Sequence, residues 1–410
     1  MNMIPYSRQW LDEEEIASVV EALKGNYLTQ GPKVEEFEEA VAEICGAKYA
    51  VAVANGTAAL HLAALASGLK PGDEGITSPN TFLASANCLL YVGARAEFAD
   101  IQPETYCLDP EALKEKINSR TRLIIPVHFA GQPCDMERIW EVAKEKNLMV
   151  IEDASHALGS KWRDKKGEWH MVGSCSHSHM TTFSFHPVKT ITTGEGGMIL
   201  TNDPNIARKL RLLRNHGISK DPSEFMNLEF ASPANCSPLT AQGSCSTNFA
   251  HAPYSFPPWY YEMHELGFNY RITELQCALG LVQLRRLPFF VARRRQLWAN
   301  YQERLCDLKE LTLPRERDGA QSCWHLYVVQ AKERDRLLSH LRLRGIGAHA
   351  MYIPIHLQPY YQRRFGYKRG DFPQAERYFA RCLILPLYPG LSDEMLDFIV
   401  KTIKEFYEVA

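Results

Sequence analysis

The pattern of apolar and polar positions divides the chain into short elements that alternate between strand and helix. Two helices come first. Asp12 followed by Glu15 makes a capping box for a helix running to about Lys24, and Pro32 sits where a second, roughly Lys33 to Cys45, can begin. Both carry acidic residues in the first turn, where free backbone N–H groups favour negative charge. From Tyr49 the pattern repeats: YAVAVA, the turn NGT, an alanine- and leucine-rich helix, then GITSP and TFLASANCLLYVG. AEFAD, RLIIPVHF and LMVIED follow, separated by helical stretches such as Met136 to Lys146. Apolar strands joined by helical crossovers predict an α/β sheet, largely parallel.

A further helix ends over Arg208 to Arg214, and from Lys220 to Phe256 the periodicity is lost in a stretch rich in Pro, Ser, Asn and Cys. That composition predicts a long loop or an inserted subdomain. Regularity returns with the amphipathic helix RITELQCALGLVQLRRL; Pro288 breaks it, and a basic helix is expected from about Val291 through Leu305. WHLYVVQ, a helix around Glu333 to Leu343, MYIPIHL and a final helix from about Asp393 to Tyr407 fit a compact α+β unit. The expected organisation is an N-terminal arm and large domain over 1–288, with a polar insertion near 220–256, and a small C-terminal domain over 289–410.

Composition narrows the function classes. The 410 residues exceed one ordinary domain, and a formal net charge of -2 with scattered charges offers no basic stripe for nucleic acid. The first residues, MNMIPYSRQWLDEEE, lack a signal-peptide pattern, and no segment stays apolar for the roughly 18 residues of a membrane helix. A soluble, cytoplasmic protein is expected. Its 11 cysteines include no C-x-x-C pair, so most are expected to be small buried fillers.

Candidate chemistry gathers where strands of such a sheet end. Lys189 stands between FSFHPVK and the glycine-rich TTGEGG, and a lysine there can form a Schiff base with a carbonyl if its surroundings favour the neutral amine. Asn55-Gly56-Thr57-Ala58 follows YAVAVA and opens a helix; it is either a phosphate cradle or an ordinary helix cap. Asp153 in VIEDASHA can keep a pyridine nitrogen protonated, with Glu152 turned the other way, although an acidic pair there could instead bind magnesium. His156 can stack beside the same ring or be a satisfied structural histidine. Phe82 in PNTF can cover a flat cofactor, though alone it reads as core. The Ser184 hydroxyl can serve a phosphate.

Together a phosphate cradle, a carboxylate for a pyridine, a ring cover and a lysine specify pyridoxal 5'-phosphate. No G-x-G-x-x-G follows an early strand, and no Walker-type loop or G-x-S-x-G elbow is present. Cys175, His177 and His179 alternate in GSCSHSH and would share one face of an extended strand, but no fourth ligand is evident; a polar, partly exposed strand without metal is favoured.

In order along the chain, NGTAALHLA, GDEGITSPNTF, PVHFAGQPCDM, VIEDASHALGS, FSFHPVKTITTGEGG, LRNHGI and GFNYRITELQCALGLVQL resemble the sugar aminotransferases of the DegT/StrS family. The resemblance implies the fold type I of pyridoxal-phosphate enzymes, a large mixed, mostly parallel sheet domain with a smaller α+β domain. It implies Lys189 as the Schiff-base lysine and Asp153 as partner of the pyridine nitrogen, Thr57, Ala58 and Ser184 as phosphate contacts, and Phe82 as the stacking ring. His156 stands where many relatives have glutamine. The resemblance further implies a homodimer with shared active sites, Asn269 of GFNYR reaching the phosphate of the other subunit. A lysine at 189 separates it from related dehydratases, which carry histidine there.

Within the family, PWYYEMHELGFNYR, WHLYVV, YIPIHLQPYYQRRFGYKRGDFPQAE and LPLYPGLS resemble members that act in pseudaminic acid biosynthesis. These move the amino group of L-glutamate to C4 of a UDP-linked 4-keto-6-deoxy-N-acetyl sugar, giving UDP-4-amino-4,6-dideoxy-N-acetyl-β-L-altrosamine. Two features depart from that pattern: 220–256 is longer than usual, and His179 replaces a common aspartate. Other nucleotide-linked 3-keto or 4-keto sugars remain alternative acceptors, and a noncatalytic cofactor-binding protein is the alternative of another class.

Overall fold

The structure of this protein, a computed structural model, describes residues 3–409 except 228, 231 and 234–253. Most of the polar stretch 220–256 therefore lies outside the described residues. The N-terminal helices form as their sequences dictate. Glu13–Lys24 is closed by the capping box, in which Asp12 N donates to Glu15 Oε2 at 3.0 Å, and Pro32–Cys45 starts on proline and ends on Gly46 at φ 75°.

Seven strands form the central sheet in the order Tyr49–Val53, Gly197–Thr201, Met180–Ser184, Met149–Asp153, Thr121–Ile125, Glu74–Thr77, Arg95–Phe98. Gly197–Thr201 runs antiparallel to both neighbours, and every other pairing is parallel. Parallel neighbours need crossovers, supplied among others by helices Ala84–Tyr91 and Met136–Lys146. Covered on both faces, the central strands are buried along nearly their whole length, which is why they read as unbroken apolar runs.

Glu274–Arg285 is the amphipathic helix, closed at its start by a Thr273/Gln276 capping box. The next helix, Leu287–Leu305, begins earlier than its basic residues suggest, with Pro288 in its first turn. A first-turn N–H has no partner within the helix, so proline starts this helix rather than holding it off until Val291.

The C-terminal part builds an antiparallel sheet of Leu311–Thr312, Tyr327–Ala331 and Cys382–Leu385, flanked by helices Arg334–Leu343 and Asp393–Val409. MYIPIHL forms no strand; it is a loop entering a short turn of helix at Ile355–Leu357. Two buried apolar clusters meet at the small sheet. Tyr327, Val329, Leu383 and Leu385 face a C-terminal cluster with Leu297, Leu341 and Ile399, while Val328, Cys382 and Ile384 face the core of the central sheet. Two-residue alternation thus makes this sheet the partition between the cores and brings the segments before and beside it against the large sheet.

The nine described cysteines are free, and all but Cys306 are buried. No described helix is long and apolar enough to cross a membrane.

Candidate active site

The parallel strands end along one edge, and the loops leaving that edge enclose a cavity of about 510 Å³. Thr57, Phe82, Asp153, His156, Ser184 and Lys189 all line it, from the ends of four strands or the segments just beyond them, Asp153 sharing one strand end with His156 and Ser184 another with Lys189. The opposite wall comes from the C-terminal part, through His325, Leu326, Met351 and Tyr352.

At the first strand end the NGTA segment forms a helix cap that leaves two backbone donors over. Asn55 caps helix Gly56–Ala66, its Oδ1 accepting from Ala58 N at 2.8 Å. The N–H groups of Gly56 and Thr57 have no partner among the described residues and stand at the cavity as anion donors. A Cβ on Gly56 would lie 2.8 Å from Ser184 Cβ and 3.1 Å from its Oγ, so glycine lets the helix start approach the serine. Ala58 itself does not line the cavity, and its N–H is taken by the cap.

Asp153 is buried at the end of its strand, and its oxygens are held on two sides. Ser85 Oγ donates to Oδ2 at 2.6 Å, while Ser155 donates to Oδ1 through Oγ at 2.7 Å and N at 3.1 Å. Glu152 turns to the other face, accepting from His128 Nε2 at 2.7 Å, Ser178 Oγ at 2.5 Å and Thr181 Oγ1 at 2.8 Å. Burial pushes the Glu152 carboxyl up, but these bonds outweigh it and hold it below its usual range. The two acids therefore serve separate networks and form no chelating pair.

Lys189 follows the strand Met180–Ser184 in a turn closed by Lys189 N donating to His186 O at 2.8 Å. Lys189 is half-buried, with part of its surface on the cavity. Burial lowers its pKa to about 8 against the opposing pull of Asp153. Phe82 is 57% exposed, contrary to the expectation of a core ring, because its loop turns it into the cavity. Its centroid lies 6.0 Å from that of Tyr352.

His156 is buried and accepts from Ala130 N at Nδ1, 3.3 Å away, while Nε2 lies 3.3 Å from Tyr352 Oη. Burial, then the charge of Lys189, keep its pKa well below the ordinary histidine value. In the neutral ring with Nδ1 accepting, Nε2 carries the proton and donates to Tyr352. His325 packs against it at 4.4 Å between centroids, its own Nδ1 buried without a described partner. Buried Arg294 fixes that segment, donating to the carbonyls of His325 at 3.1 Å and Leu387 at 2.8 Å. Sequence reasoning missed Ser85, His325 and Tyr352; WHLYVV and MYIPIHL marked two of the segments, but no local pattern set these residues apart.

Asn269 is exposed and outside this cavity, paired in a short bridge with Asn215. Cys175, His177 and His179 do not share a strand face, since the segment bends before Met180. Cys175 Sγ bonds Leu200 O, His177 packs on Trp162, and His179 Nδ1 accepts from Val150 N at 3.0 Å. A larger cleft of about 630 Å³ beside Arg214 and Glu38 is lined by their ion pair and by none of the predicted site residues.

The donor set of the smaller cavity fits pyridoxal 5'-phosphate: free helix-start N–H groups for the phosphate, an anchored carboxylate for the ring nitrogen, a free aromatic face, and an amine of lowered pKa. Comparison with known proteins agrees. The family described as DegT/DnrJ/EryC1/StrS aminotransferases matches residues 9–404. The spore coat polysaccharide biosynthesis protein SpsC of Bacillus subtilis is 39% identical over 100% of this chain and 98% of its own. Among solved structures, Helicobacter pylori PseC, an aminotransferase involved in the biosynthesis of pseudoaminic acid, superposes with a TM-score of 0.85 at 29% identity, covering all of both chains. The putative sugar aminotransferase Spr1654 of Streptococcus pneumoniae, in its PLP form, gives a TM-score of 0.85 at 27% identity over 99% of each chain.

Proposed function

This chain belongs to the DegT/DnrJ/EryC1/StrS aminotransferase family and is a pyridoxal-phosphate-dependent sugar aminotransferase, and from that premise we propose that it moves the amino group of L-glutamate to C4 of a UDP-linked 4-keto-6-deoxy-N-acetyl sugar, giving UDP-4-amino-4,6-dideoxy-N-acetyl-β-L-altrosamine. The observation carrying the reading is the cavity that holds Lys189 and Asp153 together, with the amine lowered to about 8. The likeness to PseC supports the choice of acceptor.

When bound, pyridoxal phosphate supplies an electrophilic carbon for the amino group and a ring that draws off electrons. Gly56 and Thr57 N–H and the Ser184 hydroxyl hold its phosphate, Phe82 covers a face, and Asp153 holds a proton at the pyridine nitrogen. Lys189 Nζ removes the proton from the α-carbon of glutamate in one half of the cycle. In the other it delivers a proton to C4 of the sugar, so one amine serves both substrates in turn. A second copy of the chain completes the site, its exposed Asn269 reaching the phosphate; the position of that residue outside its own cavity supports this arrangement.

The test is the complete reaction with L-glutamate and a panel of UDP- and dTDP-linked keto sugars, product configuration being read by NMR. The expected result is amination at C4 of the UDP-linked 4-keto sugar with ping-pong kinetics. Sequential kinetics would sink the two-half scheme, and amination of another sugar alone would move the enzyme to a different acceptor. The likeness to SpsC, whose name places it in spore coat polysaccharide biosynthesis, favours that second reading.

A further inference from the structure

We propose that Tyr352 is a positioning residue for the acceptor, its phenolic hydroxyl donating to the carbonyl oxygen of the keto sugar while His156 holds the phenol from behind. This rests on the reading of the chain as a keto-sugar aminotransferase.

The direction of one hydrogen bond carries the argument. Ala130 N donates to His156 Nδ1, so the proton of the neutral imidazole is on Nε2, and the contact to Tyr352 Oη at 3.3 Å runs from the histidine to the phenol. Tyr352 is thereby an acceptor toward His156, and no other described group takes its own proton. The hydroxyl belongs to a residue that lines the cavity beside Phe82. Its free proton is therefore offered to whatever occupies that side.

The ring has little freedom to aim elsewhere. Phe129 meets it edge-on at 6.3 Å, His156 lies nearly parallel at 6.2 Å and 17°, and Phe82 closes the third side. Burial, then the charge of Asp153, raise the phenol above its ordinary range, so it keeps its proton at every working pH. A donor that stays uncharged suits an uncharged oxygen. The carboxylates of glutamate would draw far more from a cation, whereas the sugar carbonyl is neutral and its carbon must sit beside Lys189.

The experiment separates the halves of the reaction in Tyr352→Phe holoenzyme by single-turnover absorbance. Loading with L-glutamate is expected to keep the wild-type rate within a factor of about two, while discharge to the keto sugar slows about tenfold, the equivalent of one neutral hydrogen bond. As a second variant, 3-fluorotyrosine at position 352 keeps the ring and strengthens the donor, and discharge is expected to be at least as fast as in wild type. Equal slowing of both halves in Tyr352→Phe would mark a merely structural residue, and unchanged discharge would remove the proposed bond; either overturns the inference. Should wild-type enzyme aminate no keto sugar at all, the functional reading fails and takes this inference with it, a result distinguishable because it appears without any substitution.

Discussion

Ser85 Oγ and Asp153 Oδ2 are 2.6 Å apart, a buried hydrogen bond that joins the first turn of helix Ala84–Tyr91 to the end of strand Met149–Asp153. Ser85 lies just beyond the Phe82 loop and is itself 2.8 Å from Thr81 Oγ1, so the loop that turns Phe82 into the cavity also steadies the carboxylate below it.

Replacing Ser85 with alanine removes a bond to a charged acceptor inside the core. Ser85→Ala is expected to cost about 2 kcal/mol of unfolding free energy. Urea denaturation of the apoprotein measures that loss. Cofactor titration is expected to show weaker retention, and an unchanged affinity would mean that Ser155 alone holds the carboxylate.

Lys189 makes the amine reactivity and the stability depend on pH in a stated direction. With a folded pKa of about 8 against an ordinary 10.5, the unfolded chain binds a proton in that interval that the folded chain does not. Its burial penalty is therefore fully present below pH 8 and is relieved as pH rises toward 10.5. Apo Lys189→Met is expected to melt above wild type at pH 7, with the gap closing at higher pH. In wild-type apoprotein, covalent attachment of added pyridoxal phosphate, followed by visible absorbance, is expected to accelerate up to about pH 8 and then level off.

Gly56 tests the close approach of helix start and strand end. Gly56→Ala places a Cβ 2.8 Å from Ser184 Cβ, and such overpacking costs about 1–3 kcal/mol. Weaker phosphate binding and a lower melting temperature are expected. Adding Ser184→Gly removes the colliding atom, so the double variant is expected to regain stability without regaining cofactor affinity, because the serine hydroxyl is gone.

His156 carries no charge near neutrality, its pKa being held well below the ordinary histidine value by burial and by Lys189. His156→Gln is accordingly expected to leave the shape of the pH–rate profile unchanged between about pH 6 and 8, a range that an unperturbed histidine would titrate. A displaced acid limb in the variant would show that the imidazole does titrate in the working enzyme.

Much of this organisation was legible along the chain. Asp12 and Glu15, Asn55 with Gly56, and the apolar runs ending at Asp153 and Ser184 act over a few residues, so they announce their helices and strand ends directly. Phe82 was harder, because its type predicts burial while its loop leaves it exposed. Pro288 showed the same limit, since a proline can end one helix or start the next. The GSCSHSH alternation suggested a shared face, and a bend in front of the strand sent its side chains to three separate partners.

By itself, then, the sequence determined the alternation of strands and helices, the strand-end positions of Lys189 and Asp153, and through its ordered motifs the family. Only tertiary structure decided that His156 meets Tyr352 across 196 residues, that Arg294 sets the His325 segment against it, and that the distant Ser85 joins Ser155 in holding Asp153. The physical reason is range. Caps, turns and periodicity are satisfied within a few residues, whereas the far wall of the cavity depends on how a small two-faced sheet seats one core against another.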